Sequence, residues 1–136
     1  MSNDPEPSHL AHVRRYFRAL EQSPTEAELA SFFTADVRQR EFPNRLVEHG
    51  AARTLADILE GNRRGQSVVA NQRYVIENAL VAGDRLALEL RWTAELKVPL
   101  GKLAAGDRMT ANCGVFFRFE GGLIAEQHNF DCFEPF

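Results

Sequence analysis

The stretch from Gly106 to Phe136 constrains the fold more than any other part of the sequence. It contains two segments rich in β-branched and aromatic residues, 109–119 and 123–133, which suit a pleated strand. Between them lies Glu120-Gly121-Gly122, where a glycine adopts the positive φ that closes a type I turn at little cost. We therefore predict a β-hairpin. We expect it to carry the pocket, because polar residues stand where a plain core strand carries valine.

The register of this hairpin depends on the length of its loop. A three-residue loop pairs Phe119 with Leu123. It also predicts three pairs further along, Val115 with Gln127, Cys113 with Asn129 and Ala111 with Asp131. Because side chains alternate along a strand, one face of the last strand then carries Gln127, Asn129, Asp131 and Phe133. A two-residue loop shifts the pairing by one and brings His128 to that face instead.

Length and composition indicate one ordinary globular domain. The chain has 136 residues, of which 44% are hydrophobic and 26% charged. A net charge of -3 gives no reason to expect nucleic acid or an anionic membrane as a partner. No apolar run approaches the roughly 20 residues of a membrane span, and the N-terminus lacks the pattern of a signal peptide. Cys113 and Cys132 do not form a disulfide framework, so we predict free thiols and a cytoplasmic protein.

The N-terminal half predicts helices. Residues 1–7 are polar with two prolines, which indicates a flexible tail. Helical spacing of apolar residues predicts helices at 9–22, 26–33 and 51–59. Thr25 and Glu28 fit a capping box at the start of the second helix, and Gly61 is expected to close the third.

The rest of the chain predicts strands. A short strand is expected at 37–42 and a long one at 68–81, with Tyr74, Ile76 and Leu80 on one face and Gln72 and Asn78 among them. The clearest period-two signal follows, because Leu86, Leu88, Leu90 and Trp92 alternate with smaller or polar residues. Helices followed by a long meander predict an α+β domain, with the helices in the concave side of a curled antiparallel sheet.

Four segments, HVRRYFRALEQS, TADVRQREFPN, RWTAEL and FFRFEGGLIAEQHNFD, resemble landmarks of the nuclear transport factor two-like superfamily. This is the cone-shaped, cystatin-like fold of ketosteroid isomerases, SnoaL-like polyketide cyclases, scytalone dehydratase and limonene epoxide hydrolase. EFPN, the strand with Gln72 and Tyr74, and the ending NFDCFEPF are similar to a bacterial SnoaL-like subgroup. The resemblance covers essentially the whole chain and implies a small-molecule pocket inside the cone.

The same resemblance argues against steroid isomerisation. The substrate-binding tyrosine of ketosteroid isomerases matches Tyr16, but their base aspartate falls on Phe42 and their second oxyanion-hole carboxyl falls on Val115. Phenylalanine and valine can neither move a proton nor donate a hydrogen bond. The resemblance to SnoaL-like cyclases points instead to a polar group near the end of the last strand, where Asn129 and Asp131 stand.

Two carboxyl groups are the candidate catalytic residues. Asp131 lies between Phe130 and Cys132, and an apolar setting raises the pKa of a carboxyl group, which suits a general acid or base. The alternative is a carboxylate bonded to an arginine or to the backbone. Glu41 replaces the missing base if it points into the cone. Alternation turns Glu41 outward if Phe42 faces inward, unless a bulge intervenes.

The candidate ligand-binding residues are Tyr16, Asn44, Gln72, Tyr74, Trp92, Cys113, Gln127 and Asn129. These groups would orient a ligand rather than move protons. Simpler roles stay open: Tyr16 belongs to the core, Asn44 caps the turn after Pro43, and the neutral polar groups fix strand register.

No metal or cofactor is expected. His9 and His12 lack companion ligands and are expected to face solvent, and no phosphate-binding or nucleophilic serine motif occurs. We predict a cofactor-independent acid–base enzyme of the cyclase, isomerase or dehydratase type, acting on a small, apolar, oxygen-bearing substrate. The alternatives are a non-catalytic ligand-binding or scaffolding domain and a structural dimer with a cone filled by Phe and Trp. A homodimer is expected through the outer sheet face, from the positions of Arg91, Thr93, Phe116 and His128.

Overall fold

The computed structural model describes residues 6–136, so residues 1–5 of the predicted tail lie outside the described part of the chain. Within residues 6–136, three helices precede or interrupt the sheet: α1 (Ser8–Glu21), α2 (Glu26–Ala30) and α3 (Leu55–Gly65). The strands are β1 (Phe33–Glu41), β2 (Ala51–Arg53), β3 (Val69–Ala82), β4 (Arg85–Leu96), β5 (Arg108–Glu120) and β6 (Leu123–Phe133). None of the helices in residues 6–136 is long and apolar enough to span a membrane.

The six strands form one sheet in the order β2-β1-β6-β5-β4-β3. The predicted α+β class and the antiparallel meander from β3 to β6 are confirmed. The sheet is mixed rather than wholly antiparallel, because β1 runs parallel to β6. Apolar periodicity predicts that a strand exists but carries no information about its direction, so this pair could not be anticipated.

The core lies between α1 and the concave face of the sheet. Val13, Tyr16 and Phe17 recur on one side of α1 and are buried. Phe17 stacks on Tyr74 of β3 with ring centroids 4.8 Å apart, and the buried leucines of β4 complete the layer. The amphipathic stripe of α1 therefore holds this helix against the long strands, and the remaining concave surface lines a cavity.

The hairpin turn differs from the prediction. Glu120 pairs directly with Leu123, and Gly121 and Gly122 have φ of 56° and 80°, as a two-residue type I′ turn requires. The predicted register is wrong by two residues, because Gln127 lies opposite Phe117 rather than Val115. In the same way Asn129 lies opposite Val115 and Asp131 lies opposite Cys113.

A β-bulge restores the expected face of β6. Arg118 pairs with Glu126 while Phe119 pairs with Ile124, which leaves Ala125 as an extra residue. The extra residue reverses the inward and outward positions that the two-residue turn alone would impose. The side chains that face the concave side are therefore Gln127, Asn129, Asp131 and Phe133.

Two further predictions need correction. Leu80 is 70% exposed, because the register shifts between Ile76 and Asn78 and turns Ala79 inward to pair with Leu88. The predicted third helix begins too early: residues 51–53 form β2, and α3 continues through Gly61 to Gly65. A capping box fixes its true start, since the Thr54 hydroxyl accepts from the Asp57 amide and the Asp57 carboxylate accepts from the Thr54 amide.

Candidate functional site

A cavity of about 480 Å³ lies between the concave face of the sheet, α1 and α3. This volume is within the range of small-molecule pockets. Its apolar wall includes Phe17, Leu20, Leu29, Ile58, Leu90, Met109, Ala111, Val115 and Phe133. Polar side chains reach it from the helices and from several strands, so the cavity combines a mostly apolar surface with a few hydrogen-bonding positions.

Asp131 is half-buried in this cavity and lies opposite Cys113 on β5. Burial raises the pKa of Asp131 to about 6, and the nearby negative charge of Glu41 acts in the same direction. A hydrogen bond with the Cys113 thiol and the positive charge of Arg53 lower it. A carboxyl group with this pKa can both accept and donate a proton near neutral pH.

Glu41 also lines the cavity, where Arg53 of β2 holds it. The Arg53 Nη2 atom lies 2.9 Å from Glu41 Oε2, and only 13% of the Glu41 side chain is exposed. Phe42 faces the other way, since its ring stacks on Phe130 with centroids 4.2 Å apart. Ordinary alternation therefore turns Glu41 inward without a bulge. The position that matches the aspartate base of ketosteroid isomerases, Phe42, lies outside the cavity.

A chain of amide hydrogen bonds connects α1 to the end of β6. The Tyr16 hydroxyl donates to Gln127 Oε1 (3.3 Å), and Gln39 Nε2 donates to the same oxygen (3.2 Å). Gln127 Nε2 in turn donates to Asn129 Oδ1 (3.1 Å). Burial raises the pKa of Tyr16 to about 12, and the bond to Gln127 opposes this rise only in part. The Tyr16 proton is thus directed at Gln127, and the hydroxyl orients the network.

Gln72 reaches the opposite wall of the cavity from β3. Its Oε1 atom accepts one hydrogen bond from Trp92 Nε1 (3.0 Å) and another from the Tyr74 hydroxyl (3.1 Å). Burial raises the pKa of Tyr74, so this hydroxyl stays protonated and remains a donor. The three side chains form one fixed polar group within an otherwise apolar part of the wall.

Cys113 lines the cavity beside Asp131, whereas Cys132 is exposed. Burial raises the pKa of the Cys113 thiol, and the charge of Asp131 raises it further. The thiol is therefore protonated and acts as a weak donor rather than as a nucleophile. Both cysteines are free, and within residues 6–136 no three His, Cys, Asp or Glu side chains converge as metal ligands would.

Asn44 lies outside the set of residues that line the cavity, in contrast to its predicted ligand-binding position. Its Oδ1 atom accepts from the backbone amides of Leu46 and Val47, both at 2.8 Å. Its Nδ2 atom donates to the carbonyl of Phe42 at 3.1 Å. These bonds satisfy the backbone of the loop after Pro43, which was the alternative role considered for Asn44.

The histidines are not in the cavity wall. The prediction that both His9 and His12 face solvent is wrong for His12, whereas His9 is partly exposed. His12 is 9% exposed, and its Nε2 atom lies 3.0 Å from the carbonyl oxygen of Phe32. His9 stacks on Phe119 with centroids 4.1 Å apart. Both rings pack against Phe119, while His128 lies opposite Phe116 on the outer sheet face.

Three polar residues of the cavity, Gln39, Arg53 and Asn62, were not among the predicted site residues. Gln39 precedes Glu41 by two positions, so strand alternation places both on the same face. The sequence therefore predicts that Gln39 faces the cavity whenever Glu41 does. Arg53 lies on a strand of only three residues, which is too short to show a period.

The fold and the cavity define a small α+β cone with an internal pocket of ligand size. The SnoaL-like domain family matches residues 13–127, and the chain belongs to this family within the nuclear transport factor two-like superfamily. No curated protein sequence matches the chain at a significant level.

Solved structures agree with this assignment of the fold. A proposed SnoaL-like polyketide cyclase from Jannaschia sp. CCS1 superposes with a TM-score of 0.73, at 18% identity over 96% of this chain and 91% of the other. IdmH from Streptomyces antibioticus, a proposed polyketide cyclase, gives 0.74 at 12% identity over 90% and 91%. A protein with a ketosteroid isomerase-like fold from Catenulispora acidiphila, solved with trimethylamine, gives 0.69 at 20% identity over 88% and 83%. At these identities the likeness establishes the fold alone.

Proposed function

We propose that this protein is a cofactor-independent acid–base enzyme of the cyclase, isomerase or dehydratase type, acting on a small, largely apolar, oxygen-bearing molecule. The observation that carries the proposal is the convergence of Asp131 and the ion-paired Glu41 on one largely apolar cavity of about 480 Å³. Two carboxyl groups in different environments are a common arrangement for acid–base chemistry.

Asp131 is the proton carrier in this proposal. Its pKa of about 6 leaves most of the carboxyl group ionised at pH 7 and lets it regain a proton readily. As a base it would take a proton from a carbon next to a substrate carbonyl, and the electron pair of that C–H bond would move onto the carbonyl oxygen. Return of the proton at another position completes an isomerisation. Alternatively, the carbanion attacks a second carbonyl and closes a ring, the π electrons of that carbonyl move onto its oxygen, and Asp131 returns its proton to the resulting alkoxide.

Glu41 and Asn129 support that step. Arg53 balances the charge of Glu41, so the cavity does not hold two uncompensated carboxylates. Asn129 pairs with Glu41 across the parallel strands, and Gln127 bonds its Oδ1 atom. This bond turns the Asn129 amide N–H groups away from Gln127, where they can hold a developing enolate oxygen.

A non-catalytic ligand-binding domain is the second candidate. The same cavity supports it, because fixed amide groups in an apolar pocket orient a ligand without chemistry. The structural alternative predicted a cone filled by Phe and Trp side chains, and the cavity of about 480 Å³ contradicts it.

Proton abstraction can be tested without knowledge of the natural substrate. A panel of small cyclic ketones is incubated with the protein in D₂O, and exchange of the α-hydrogens is followed by NMR. We expect exchange by the wild-type protein and its loss in Asp131→Asn, with exchange retained in the matched variant Asp36→Asn, whose side chain is exposed on β1. Unchanged exchange in Asp131→Asn would refute the assignment of Asp131. Binding of ketones without any exchange would favour the second candidate.

We also propose a homodimer through the outer face of the sheet, and a cytoplasmic location consistent with two free thiols. The outer face carries four exposed apolar side chains, Val75, Leu80, Phe116 and Phe130. Of these, Phe116 and Phe130 contact each other with ring centroids 5.9 Å apart, and exposed apolar patches often mark interaction surfaces. Sedimentation at micromolar concentration should give a dimer for the wild-type protein and for Val98→Asp in a loop, but a monomer for Phe116→Asp. A wild-type monomer would contradict the proposal.

A further inference from the structure

The orientation of the Gln72 amide group is fixed by its two neighbours. An indole N–H can only donate a hydrogen bond, so the Gln72 atom 3.0 Å from Trp92 Nε1 must be the oxygen. The Tyr74 hydroxyl donates to the same oxygen. Both hydrogen bonds that the Gln72 side chain makes with the described residues therefore use Oε1, and the Nε2 group is directed elsewhere.

A bulge in β3 brings this amide group to the cavity. Ala70 pairs with Glu95 and Arg73 with Thr93, so two residues of β3, Asn71 and Gln72, lie opposite one residue of β4. Asn71 has a φ of 52°, and its side chain donates to Glu95 at 3.0 Å. Asparagine is one of the non-glycine residues that tolerate the left-handed region, so Asn71 allows this bulge at a modest cost. Gln72 lines the cavity as a result.

Gln72 and Asp131 stand on different walls of the cavity. The strand order β6-β5-β4-β3 places them three strands apart, with neighbouring strands ~4.8 Å from one another. Asp131 is in register with Cys113 and, across β4, with Leu90, whereas Gln72 lies beyond the Trp92–Tyr74 pair. A ligand that spans the cavity can contact both groups through different atoms.

We propose that Gln72 is a specificity-determining donor that binds an acceptor oxygen of the ligand, such as a ketone, ester or ether oxygen, at the end remote from Asp131. This inference rests on the proposed ligand-binding cavity and defines its substrate class further. The substrate carries at least two functional groups, a reactive one at Asp131 and an acceptor at Gln72. A hydroxyl group that needs to donate a hydrogen bond would find no acceptor in the Gln72 amide N–H groups.

Trp92 gives a direct readout, because it is the single tryptophan of the chain and bonds to Gln72. The probes are 1-tetralone and tetralin, which share a two-ring skeleton and differ in one carbonyl group. We expect the wild-type protein to bind 1-tetralone about tenfold more tightly than tetralin, as judged by Trp92 fluorescence, because the ketone alone can accept the hydrogen bond. Equal affinities, or no binding of 1-tetralone at millimolar concentration, would overturn the inference.

Gln72→Glu is the informative variant. A glutamate keeps an oxygen for Trp92 and Tyr74, but at pH 8 it presents a carboxylate to the cavity in place of two N–H groups. We expect the preference for 1-tetralone to disappear. Gln72→Met removes the donors without adding a charge, so it answers the same question if the glutamate variant fails to fold. A preference retained in either folded variant would overturn the inference.

Asp131→Asn separates this inference from the proposed enzymatic function. The preference for 1-tetralone should persist in Asp131→Asn if the carbonyl binds at Gln72, and its loss there would overturn the Gln72 assignment. Wild-type protein that shows this preference but exchanges no α-hydrogens in the panel of small cyclic ketones would refute only the enzymatic proposal. If Gln72→Glu leaves both the α-hydrogen exchange and the preference for 1-tetralone unchanged, only the role of Gln72 is refuted.

Discussion

Replacing Asp131 by Asn should stabilise the protein at high pH and leave its stability unchanged at low pH. Burial raises the pKa of Asp131 in the folded state above its ordinary value of 3.8, so the folded state binds a proton more tightly than the unfolded state. The penalty for an ionised Asp131 is therefore complete above about pH 6 and disappears as the pH falls below 3.8. Asparagine, which has nearly the same shape, carries no such penalty.

The size of the effect follows from the pKa. A rise from 3.8 to about 6, at about 1.36 kcal/mol for each pKa unit, gives roughly 3 kcal/mol. Partial exposure of the carboxyl group to solvent reduces this to about 2 kcal/mol. For a chain of this length that corresponds to a rise in Tm of about 6 °C at pH 8. Near pH 4 the two proteins should differ little.

Urea denaturation followed by Trp92 fluorescence, at pH 8, 6 and 4, measures the free energy of unfolding of both proteins. Asp36→Asn is the matched control, because Asp36 is exposed on β1 and should give the same stability as wild type at each pH. A destabilised Asp131→Asn at pH 8 would show that the carboxylate is satisfied by the fold. A gain of equal size at all three pH values would show that its charge is irrelevant.

Two other substitutions test the surroundings of the cavity. Arg53→Met should lower stability by about 2 kcal/mol, because it leaves the Glu41 carboxylate largely buried without its cation. It should also raise the pKa of Asp131 above 6, as ¹³C NMR of the carboxyl carbon would measure. Gly101→Ala should cost about 2 kcal/mol in urea denaturation, because Gly101 has a φ of 57° and a Cβ atom would lie 2.7 Å from the Phe136 carbonyl carbon.

Each of these substitutions has a control in the same chain. Arg53→Lys keeps the positive charge, so the pKa of Asp131 should change less than in Arg53→Met. Gly83→Ala also forces alanine into a positive φ, here 61°, but its Cβ atom would meet open space. Equal losses for Gly101→Ala and Gly83→Ala would mean that close packing on Phe136 contributes nothing. An unchanged pKa of Asp131 in both Arg53 variants would contradict the electrostatic coupling.

The regular parts of the fold were predictable because their sequence period matches their burial. Leu86, Leu88 and Leu90 alternate strictly and are buried on the concave side of β4. The same match between period and burial predicts α1, because its apolar residues recur at helical spacing and face the sheet. In both elements one face packs against the core and the other faces solvent. The spacing of the apolar residues is therefore enough to predict the element.

The start of α3 was missed for a different reason. Thr54 and Asp57 carry the spacing of a capping box, and this signal was present in the sequence. The apolar residues of α3 alone do not locate its first turn, because the preceding residues continue an apolar and small pattern. Gly61 alone indicates an early end of this helix, although a packed helix tolerates glycine at a modest cost.

The candidate site was only partly predictable, because bulges in β3 and β6 decide which polar side chains face the cavity. The clearest example is Ala125, the extra residue of the bulge in β6. With the observed two-residue turn and no bulge, Phe130 would lie opposite Cys113 and His128 opposite Val115, and Asp131 would point to the outer face. One extra residue reverses every position that follows it along β6.

The same dependence on an irregular strand holds at the far wall, where two residues of β3, Asn71 and Gln72, lie opposite one residue of β4. Each bulge interrupts the hydrogen-bond ladder, and the left-handed φ of Asn71 adds a conformational cost. A sheet selected for stability alone would gain from regular pairing at both places. Polar side chains that converge on the cavity from two separate bulges are therefore better explained by a ligand than by the needs of the fold.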